Sequence, residues 1–160
     1  MSGGYYDIDA ILTDAQKIPC TFNISVPGLG YLESPTLRDL STGTTVLLPL
    51  WMASQIILAR IRNTTLLEFD VPQALSPRVI NALKADPRSV DLRALATHFY
   101  GLGIKTLELL SDEEQMCDVL ANSFKIRARE VSDHAHNPRG ALGEGADFLR
   151  GLDEMERQSE

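Results

Sequence analysis

The sequence has little cysteine and no long apolar run. Its two cysteines, Cys20 and Cys117, are far apart and belong to no paired motif, which is typical of a protein in a reducing compartment. No stretch approaches the ~20 apolar residues that a membrane-spanning helix needs. Residues 1–10 have neither the basic nor the apolar region of a secretory signal. These absences predict a soluble, intracellular protein.

The chain also lacks a surplus of basic residues, since 15 Lys and Arg stand against 22 Asp and Glu and the net charge is −7. A protein that binds nucleic acid by itself usually has a basic surplus, because phosphate neutralisation supplies much of its affinity. The strongest local basic character comes from Lys125, Arg127 and Arg129. On a helix, Lys125 and Arg129 share a face that Arg127 does not, so no single stripe forms. A salt-bridged surface or interface is therefore favoured, and DNA contact is expected to be weak or indirect.

No arrangement typical of an enzyme is evident. His98 could act as a general base, but no nucleophile motif accompanies it, which favours a packed or capping histidine. His134 and His136 would point to nearly opposite sides of a helix, and no cysteine or carboxylate cluster completes a metal site. The pair Gly28 and Gly30 is followed by neither a helix nor a lysine-serine pair, which favours a turn over a phosphate loop. The sequence thus predicts no catalytic residue, no metal and no cofactor.

The pattern of turns and apolar residues predicts an α+β protein. Before Leu48 the segments are short and broken by turn formers, which is typical of a small β-rich domain. From Pro49 onward, apolar residues recur at helical spacing. We therefore predict a small N-terminal β-rich domain over residues 1–48 and a larger all-α domain over residues 49–160.

Start and stop signals predict the individual elements. In the first domain these are a helix at residues 6–15 and strands at residues 18–26, 31–32 and 44–48. In the second domain, helices are predicted to begin at Pro49, at Ser76 and Pro77, at Asp91 (running to Leu110) and after a capping box at residues 111–114. Residues 137–145 are predicted to form a loop before a last helix that carries Phe148, Leu149, Leu152 and Met155.

Four blocks of sequence stand in the order and approximate spacing of one known family. They are LPLW at residues 48–51, ADP with VDL at residues 85–92, HFYGLG at residues 98–103 and LDEMER at residues 152–157. Together with DIDAIL at residues 7–12 and KIP at residues 17–19, they resemble the Psf-three subunit of the eukaryotic GINS complex. The resemblance covers almost the whole chain, and the short loops favour a fungal member.

The resemblance implies a fold and a function. GINS is a heterotetramer of related subunits, each with a mainly helical domain and a small β-rich domain, and in this subunit type the small domain comes first. The complex binds the MCM ring together with a further helicase cofactor, and it connects that helicase to the leading-strand DNA polymerase. The chain is thus expected to be a nuclear, non-catalytic scaffold in DNA replication. Its expected partners are the three other GINS subunits, the MCM ring with its cofactor and, indirectly, the polymerase.

An assembly role predicts residues that contact partner subunits. Trp51 fits either a core position on the helix after Pro49 or a contact between subunits, where tryptophan is enriched. The candidate interface residues are Trp51, Leu95, Phe99, Tyr100, Phe124, Arg127 and Met155. In the family, the helix that carries LDEMER continues into aromatic and basic residues, whereas this sequence ends at residues 158–160, so no contact of such a tail is transferred. Two alternatives stay open: an autonomous nucleic-acid-binding module and a small hydrolase that uses His98.

Overall fold

The computed structural model describes residues 6–61, 64–110, 114–136 and 145–158. The packing of the chain separates two compact units. One consists of Ile11–Pro72, and the other combines Met1–Ala10 with Gln73–Glu160. The first unit contains the main sheet and the second is helical, which confirms the predicted α+β class.

The unit formed by Ile11–Pro72 is built on a three-stranded antiparallel sheet. Its strands lie in the order β2-β1-β5. The strands in chain order are β1 (Lys17–Phe22), β2 (Thr45–Pro49), β3 (Arg60–Ile61), β4 (Thr64–Thr65) and β5 (Leu67–Phe69). β3 pairs with β4 in a separate two-stranded ribbon. Cys20 at the centre of β1 pairs with Val46 of β2 on one side and with Phe69 of β5 on the other.

A short helix covers the buried face of this sheet. Alternate residues of β1 and β2 are buried, as expected for strands with one face against a core. Helix α2 (Leu50–Leu58) follows β2 directly, contacts all three strands and buries Leu50 and Ala53. The unit therefore continues to Pro72, because α2 contributes its inner face to the core of the sheet. This grouping differs from the division after Leu48 that the change in composition predicts.

The long connection between β1 and β2 is held by a few backbone contacts. The predicted strand at residues 18–26 ends at Phe22, and Val26 pairs instead with the fully buried Leu40 in an isolated bridge. Residues Gly30–Leu32 form a 3-10 turn and not the predicted strand. Inside this connection, a Cβ at Gly30 would lie 2.6 Å from the Asp39 nitrogen and 2.7 Å from the Leu37 carbonyl. Glycine is thus required here by close approach of the backbone.

We expect Gly30→Ala to destabilise the chain by about 1–3 kcal/mol, because the added methyl group meets backbone atoms that cannot rotate away. Gly103→Ala is a matched control, since its Cβ would meet the end of the Leu120 side chain, with Cδ1 at 2.8 Å. That side chain can move, so the control should lose less stability. Urea unfolding followed by circular dichroism measures both variants, and equal losses would contradict the proposed role of Gly30.

Helices make up most of the second unit. The first helix of the chain, α1 (Ile8–Asp14), begins there, and the boundary between the units falls within it. Among the described residues of this unit, the other helices are α3 (Pro77–Ala85), α4 (Leu92–Leu95), α5 (Phe99–Leu109), α6 (Glu114–His136), α7 (Gly145–Arg150) and α8 (Glu154–Arg157). The apolar part of its core includes Leu75, Leu83, Leu92, Phe99, Leu102, Met116, Leu120, Val131 and Leu152. No helix among the described residues is long and apolar enough to cross a bilayer.

Several predicted helix boundaries change in the structure. Pro49 ends β2 and precedes α2, whereas it was predicted to be the first helical residue. The start of α3 at Pro77 is confirmed. The Asp91 carboxylate accepts a hydrogen bond from the Ala94 N–H (2.9 Å), which confirms the predicted N-cap, but the helix it starts ends at Leu95 and a new helix begins at Phe99.

The C-terminal segment is also interrupted. The predicted last helix is two short helices, α7 and α8, separated at Gly151. A Cβ at Gly151 would lie 3.2 Å from the Cα atom of Asp91, so the backbone at Gly151 passes close to the backbone at Asp91. The predicted capping box at residues 111–114 and the predicted loop at residues 137–145 fall largely outside the described residues.

Candidate interaction surfaces and the buried ion pair

A buried arginine is the most highly connected polar group in the helical unit. The Arg127 side chain lies on α6 and is fully buried. Its Nε donates to Glu156 Oε1 at 2.7 Å and its Nη2 donates to Glu156 Oε2 at 3.0 Å, which is a bidentate arginine–carboxylate pair. Three backbone carbonyl oxygens also accept from this guanidinium: Pro87 (2.8 Å), Val90 (2.9 Å) and Gly151 (3.2 Å). All of its N–H groups are therefore used within the chain.

The carboxylate partner of Arg127 belongs to a capping box. Glu156 is 1% exposed and accepts a hydrogen bond from the Asp153 backbone N–H at 3.0 Å. Asp153 is the N-cap of α8, and its carboxylate accepts from the Met155 N–H at 3.3 Å. This reciprocal arrangement satisfies two backbone donors at the start of a helix. The start of the short helix α8 is thus capped by side chains of its own segment.

The Asp153 carboxylate also starts a second helix. Its Oδ1 accepts from the backbone N–H of Phe99 at 2.7 Å, across a large separation in sequence. The Thr97 carbonyl accepts in turn from the Glu154 N–H at 3.2 Å. Burial raises the pKa of Asp153, and the Glu156 charge adds to the increase, whereas backbone N–H groups of Phe99, Glu154 and Met155 oppose it. This buried carboxyl group explains why α5 begins at Phe99.

Aromatic side chains close the apolar side of this cluster. The Tyr100 hydroxyl donates to Glu156 Oε1 at 3.2 Å and lies 3.4 Å from Ser123 Oγ. Burial is the main reason that the pKa of Tyr100 is raised well above its ordinary value. The Tyr100 ring makes edge-to-face contacts with Phe99 and Phe124, at centroid distances of 5.5 and 5.2 Å. Arg127 also stacks over the Phe148 ring at 4.9 Å.

This arrangement is suited to holding structure and not to catalysis. The carboxylates of Asp153 and Glu156 are buried and hydrogen-bonded, so neither can reach a substrate as a general base. The cluster joins α5, α6, the turn Pro87–Ser89 and the segment Gly145–Arg157 into one body. We refer to the residues Tyr100, Arg127, Asp153 and Glu156 as the buried polar cluster.

His98 is packed in the same unit, as the sequence predicts. It is 8% exposed and occupies the N-cap position of α5, although its side chain makes no capping hydrogen bond. Its Nδ1 lies 3.9 Å from Asp9 Oδ1, and the other oxygen of Asp9 accepts from Gln158 Nε2. No group of His, Cys, Asp and Glu residues suited to a metal ion occurs in the described part of the chain.

The structure divides the predicted interface residues into two groups. Phe99, Tyr100 and Arg127 are buried within this chain, so their assignment to a partner interface is corrected: they belong to its own core. Leu95, Phe124 and Met155 are half-buried, and their contact with partners stays a prediction. Trp51 is 52% exposed, so it is not a core residue of this chain, and its contact with a partner stays a prediction.

Two buried residues were missed by sequence reasoning. Asp153 and Glu156 are buried, and each accepts hydrogen bonds from groups on other elements of the helical unit. Their spacing, an Asp followed three residues later by a Glu, is the capping-box pattern and could have identified them. Arg127 carried no such signal, because nothing in the sequence near it indicates that its partner is Glu156.

Comparison with known families defines the class of protein. Residues 74–159 match the family model described as "GINS complex protein helical bundle domain", which covers the part of the chain that holds the buried polar cluster. The chain is therefore a GINS-type protein, and its helical unit corresponds to the bundle of that class.

The N-terminal part narrows the assignment. Residues 6–59 match the "PSF3 N-terminal domain". Three relatives are named "DNA replication complex GINS protein PSF3": those of Phaeosphaeria nodorum (62% identical), Aspergillus fumigatus (61%) and Gibberella zeae (46%). Each match spans 96% of this chain and 86% of the relative. This chain belongs to the PSF3 family of GINS proteins, which confirms the resemblance and its fungal character.

Proposed function

We propose that this chain is a non-catalytic scaffold subunit of a heterotetrameric GINS complex that acts in DNA replication in the nucleus. Its binding partners would be the three other GINS subunits. The observation that carries the proposal is the membership of both units in a family whose relatives are named as parts of a DNA replication complex. Localisation in the nucleus follows from that role.

The architecture supports a scaffold. The charged groups of the buried polar cluster join helices within the subunit, and these contacts make the subunit rigid. A rigid subunit loses little conformational entropy when it binds, which favours stable assembly. Exposed apolar side chains such as Tyr6, Ile8 and Leu58 are further consistent with a protein that is covered by partners.

We infer that the assembled complex stabilises the MCM ring together with its additional cofactor in the form that is competent for helicase activity. In this mechanism the binding free energy of GINS favours one arrangement of the ring, while ATP hydrolysis stays with the MCM subunits. The contact with the leading-strand polymerase is indirect and passes through the assembly.

The alternative functions receive less support. An autonomous nucleic-acid-binding module would use Lys125, Arg127 and Arg129, but Arg127 is buried and its donors are occupied, which leaves Lys125 and Arg129 exposed on α6. A hydrolase that uses His98 would need an accessible imidazole, whereas His98 is buried beside Asp9.

Co-expression with the three other GINS subunits tests the proposal. Size-exclusion chromatography with light scattering should show one complex with a single copy of each subunit, and that complex should not form when this chain is omitted. A monomer that does not associate with those subunits would contradict the scaffold function. Salt-dependent DNA binding by the free chain would then be measured as the next alternative.

A further inference from the structure

One segment of the chain lacks charge altogether. Residues 40–59 contain no ionisable side chain, although 23% of all residues are charged. The segment includes β2 and the whole of α2. A helix on the surface of a soluble domain usually has polar and charged residues on its outer face. α2 has no charged residue, so its outer face lacks the charge that is usual for a surface that stays in water.

The outer face of α2 is nevertheless exposed in the free chain. Trp51, Gln55 and Leu58 follow one another at helical spacing and are all exposed, with Trp51 at 52% and Leu58 at 72%. Leu50 and Ala53, on the other side, are buried. We refer to Trp51, Gln55 and Leu58 as the α2 outer face.

We propose that the α2 outer face is a docking surface for an uncharged, apolar helix of another GINS subunit. The inference rests on the proposed function, because it names a contact within that same assembly. Trp51 would be the anchor, since a large aromatic side chain that becomes buried supplies much of the binding energy at protein interfaces. Leu58 extends the apolar contact by two turns of helix, and Gln55 lies between them.

The chemistry of this face selects the occupant. A charged partner surface would lose hydration here without meeting an opposite charge, so it would be rejected. A membrane surface is disfavoured, because interfacial helices usually have lysine and arginine on their polar face and α2 has neither. Along the middle of an α-helix the backbone groups are hydrogen-bonded within the helix, so a partner that crosses the α2 outer face would contact its side chains, as in the packing of one helix across another.

The position of the face in the sequence indicates which kind of contact it makes. α2 lies within residues 6–59, the part that matches a domain described for PSF3 alone, and outside residues 74–159, which match the helical bundle of GINS proteins in general. A contact through α2 would therefore distinguish this subunit from the others. Such a contact would determine the position of this subunit in the tetramer, while the helical bundle supplies contacts of the kind that GINS subunits have in common.

Charge insertion tests the proposal in the co-expressed tetramer. Trp51→Glu and Leu58→Glu should each raise the protein concentration at which the tetramer dissociates by roughly 100-fold or more, because a carboxylate would be buried without a partner. Tyr31→Glu is the matched control, since Tyr31 is 61% exposed in the same unit but lies outside α2. It should change that concentration by less than about 3-fold, as is typical of surface substitutions.

Tryptophan labelling gives a second measurement. Trp51 is the single tryptophan of the chain, so 5-fluorotryptophan incorporated into this subunit reports on one position. Its fluorine resonance should shift between H2O and D2O in the free chain and should lose that shift in the tetramer. Retention of the shift in the tetramer would overturn the proposal.

The possible results are distinct. Tetramers of normal stability with Trp51→Glu would overturn the docking surface but leave the scaffold function intact. A loss of helical signal in the free Trp51→Glu chain would overturn the docking surface, because it would assign the α2 outer face to the chain's own core. Disruption of a homodimer alone, with the heterotetramer unaffected, would overturn it in favour of a second copy of this chain. Failure of the wild-type chain to join the other subunits would contradict the proposed function itself.

Discussion

Arg127→Ala should destabilise the helical unit by about 3–5 kcal/mol, because it leaves Glu156 buried without its charge partner. The substitution also removes the donor to the Pro87, Val90 and Gly151 carbonyls. Since folded domains are stable by only about 5–15 kcal/mol, much of the unit's stability would be lost. Chemical unfolding followed by circular dichroism at neutral pH measures the free energy.

Two further variants show whether the loss comes from the buried pair. Arg129→Ala, on the exposed side of the same helix, should change stability by less than about 0.5 kcal/mol. The double variant Arg127→Ala with Glu156→Leu should be more stable than Arg127→Ala alone, because it no longer buries an uncompensated carboxylate. Equal losses for Arg127→Ala and Arg129→Ala would contradict the structural role of Arg127.

Asp153→Ala should cost about 2–4 kcal/mol, because it removes the N-cap of α8 and leaves the Phe99 N–H buried without an acceptor. Asp153→Asn should cost less, since its side-chain oxygen can still accept from Phe99. The difference between the two variants isolates the lost acceptor from the lost charge. Similar losses for Ala and Asn would contradict the role of this hydrogen bond.

Comparison with Asp153→Asn also gives a prediction for the pH dependence of the stability. Burial raises the pKa of Asp153 above its ordinary 3.8, so the folded state holds this proton more tightly than the unfolded chain does. The resulting stabilisation is present below the unfolded pKa and is lost as the pH rises through the folded pKa. The stability advantage of the wild type over Asp153→Asn should therefore shrink as the pH increases. An advantage that grows with pH would contradict the raised pKa.

A helix could be predicted from the sequence where its start signal lies within the same segment. Pro77 starts α3 and Asp91 caps α4, as their residue types indicate. The division of residues 91–110 into two helices was not predictable, because the acceptor that starts α5 is Asp153, far along the chain. β5 was missed as well, since a strand of Leu67–Phe69 is too short to show an alternating pattern.

The candidate interface shows the same limit. Apolar or aromatic character singled out Phe99 and Trp51 equally, yet Phe99 is fully buried and Trp51 is half exposed. Phe99 packs at the start of α5 between other core side chains, whereas Trp51 lies on the outer side of a helix whose inner side meets the sheet. The residue type determines whether a side chain prefers an apolar or a polar environment. Whether its own chain supplies that environment depends on how the chain packs.

The sequence by itself determined the α+β class, the family and the helix signals of the second half, because turn residues, caps and apolar spacing act over a few neighbouring positions. Only the tertiary structure decided that Arg127 and Glu156 form a buried pair, that Asp153 starts a distant helix and that the α2 outer face is left uncovered. The first two of these features join segments far apart in the chain. Their energies depend on distance, burial and geometry, which exist only once the chain has folded.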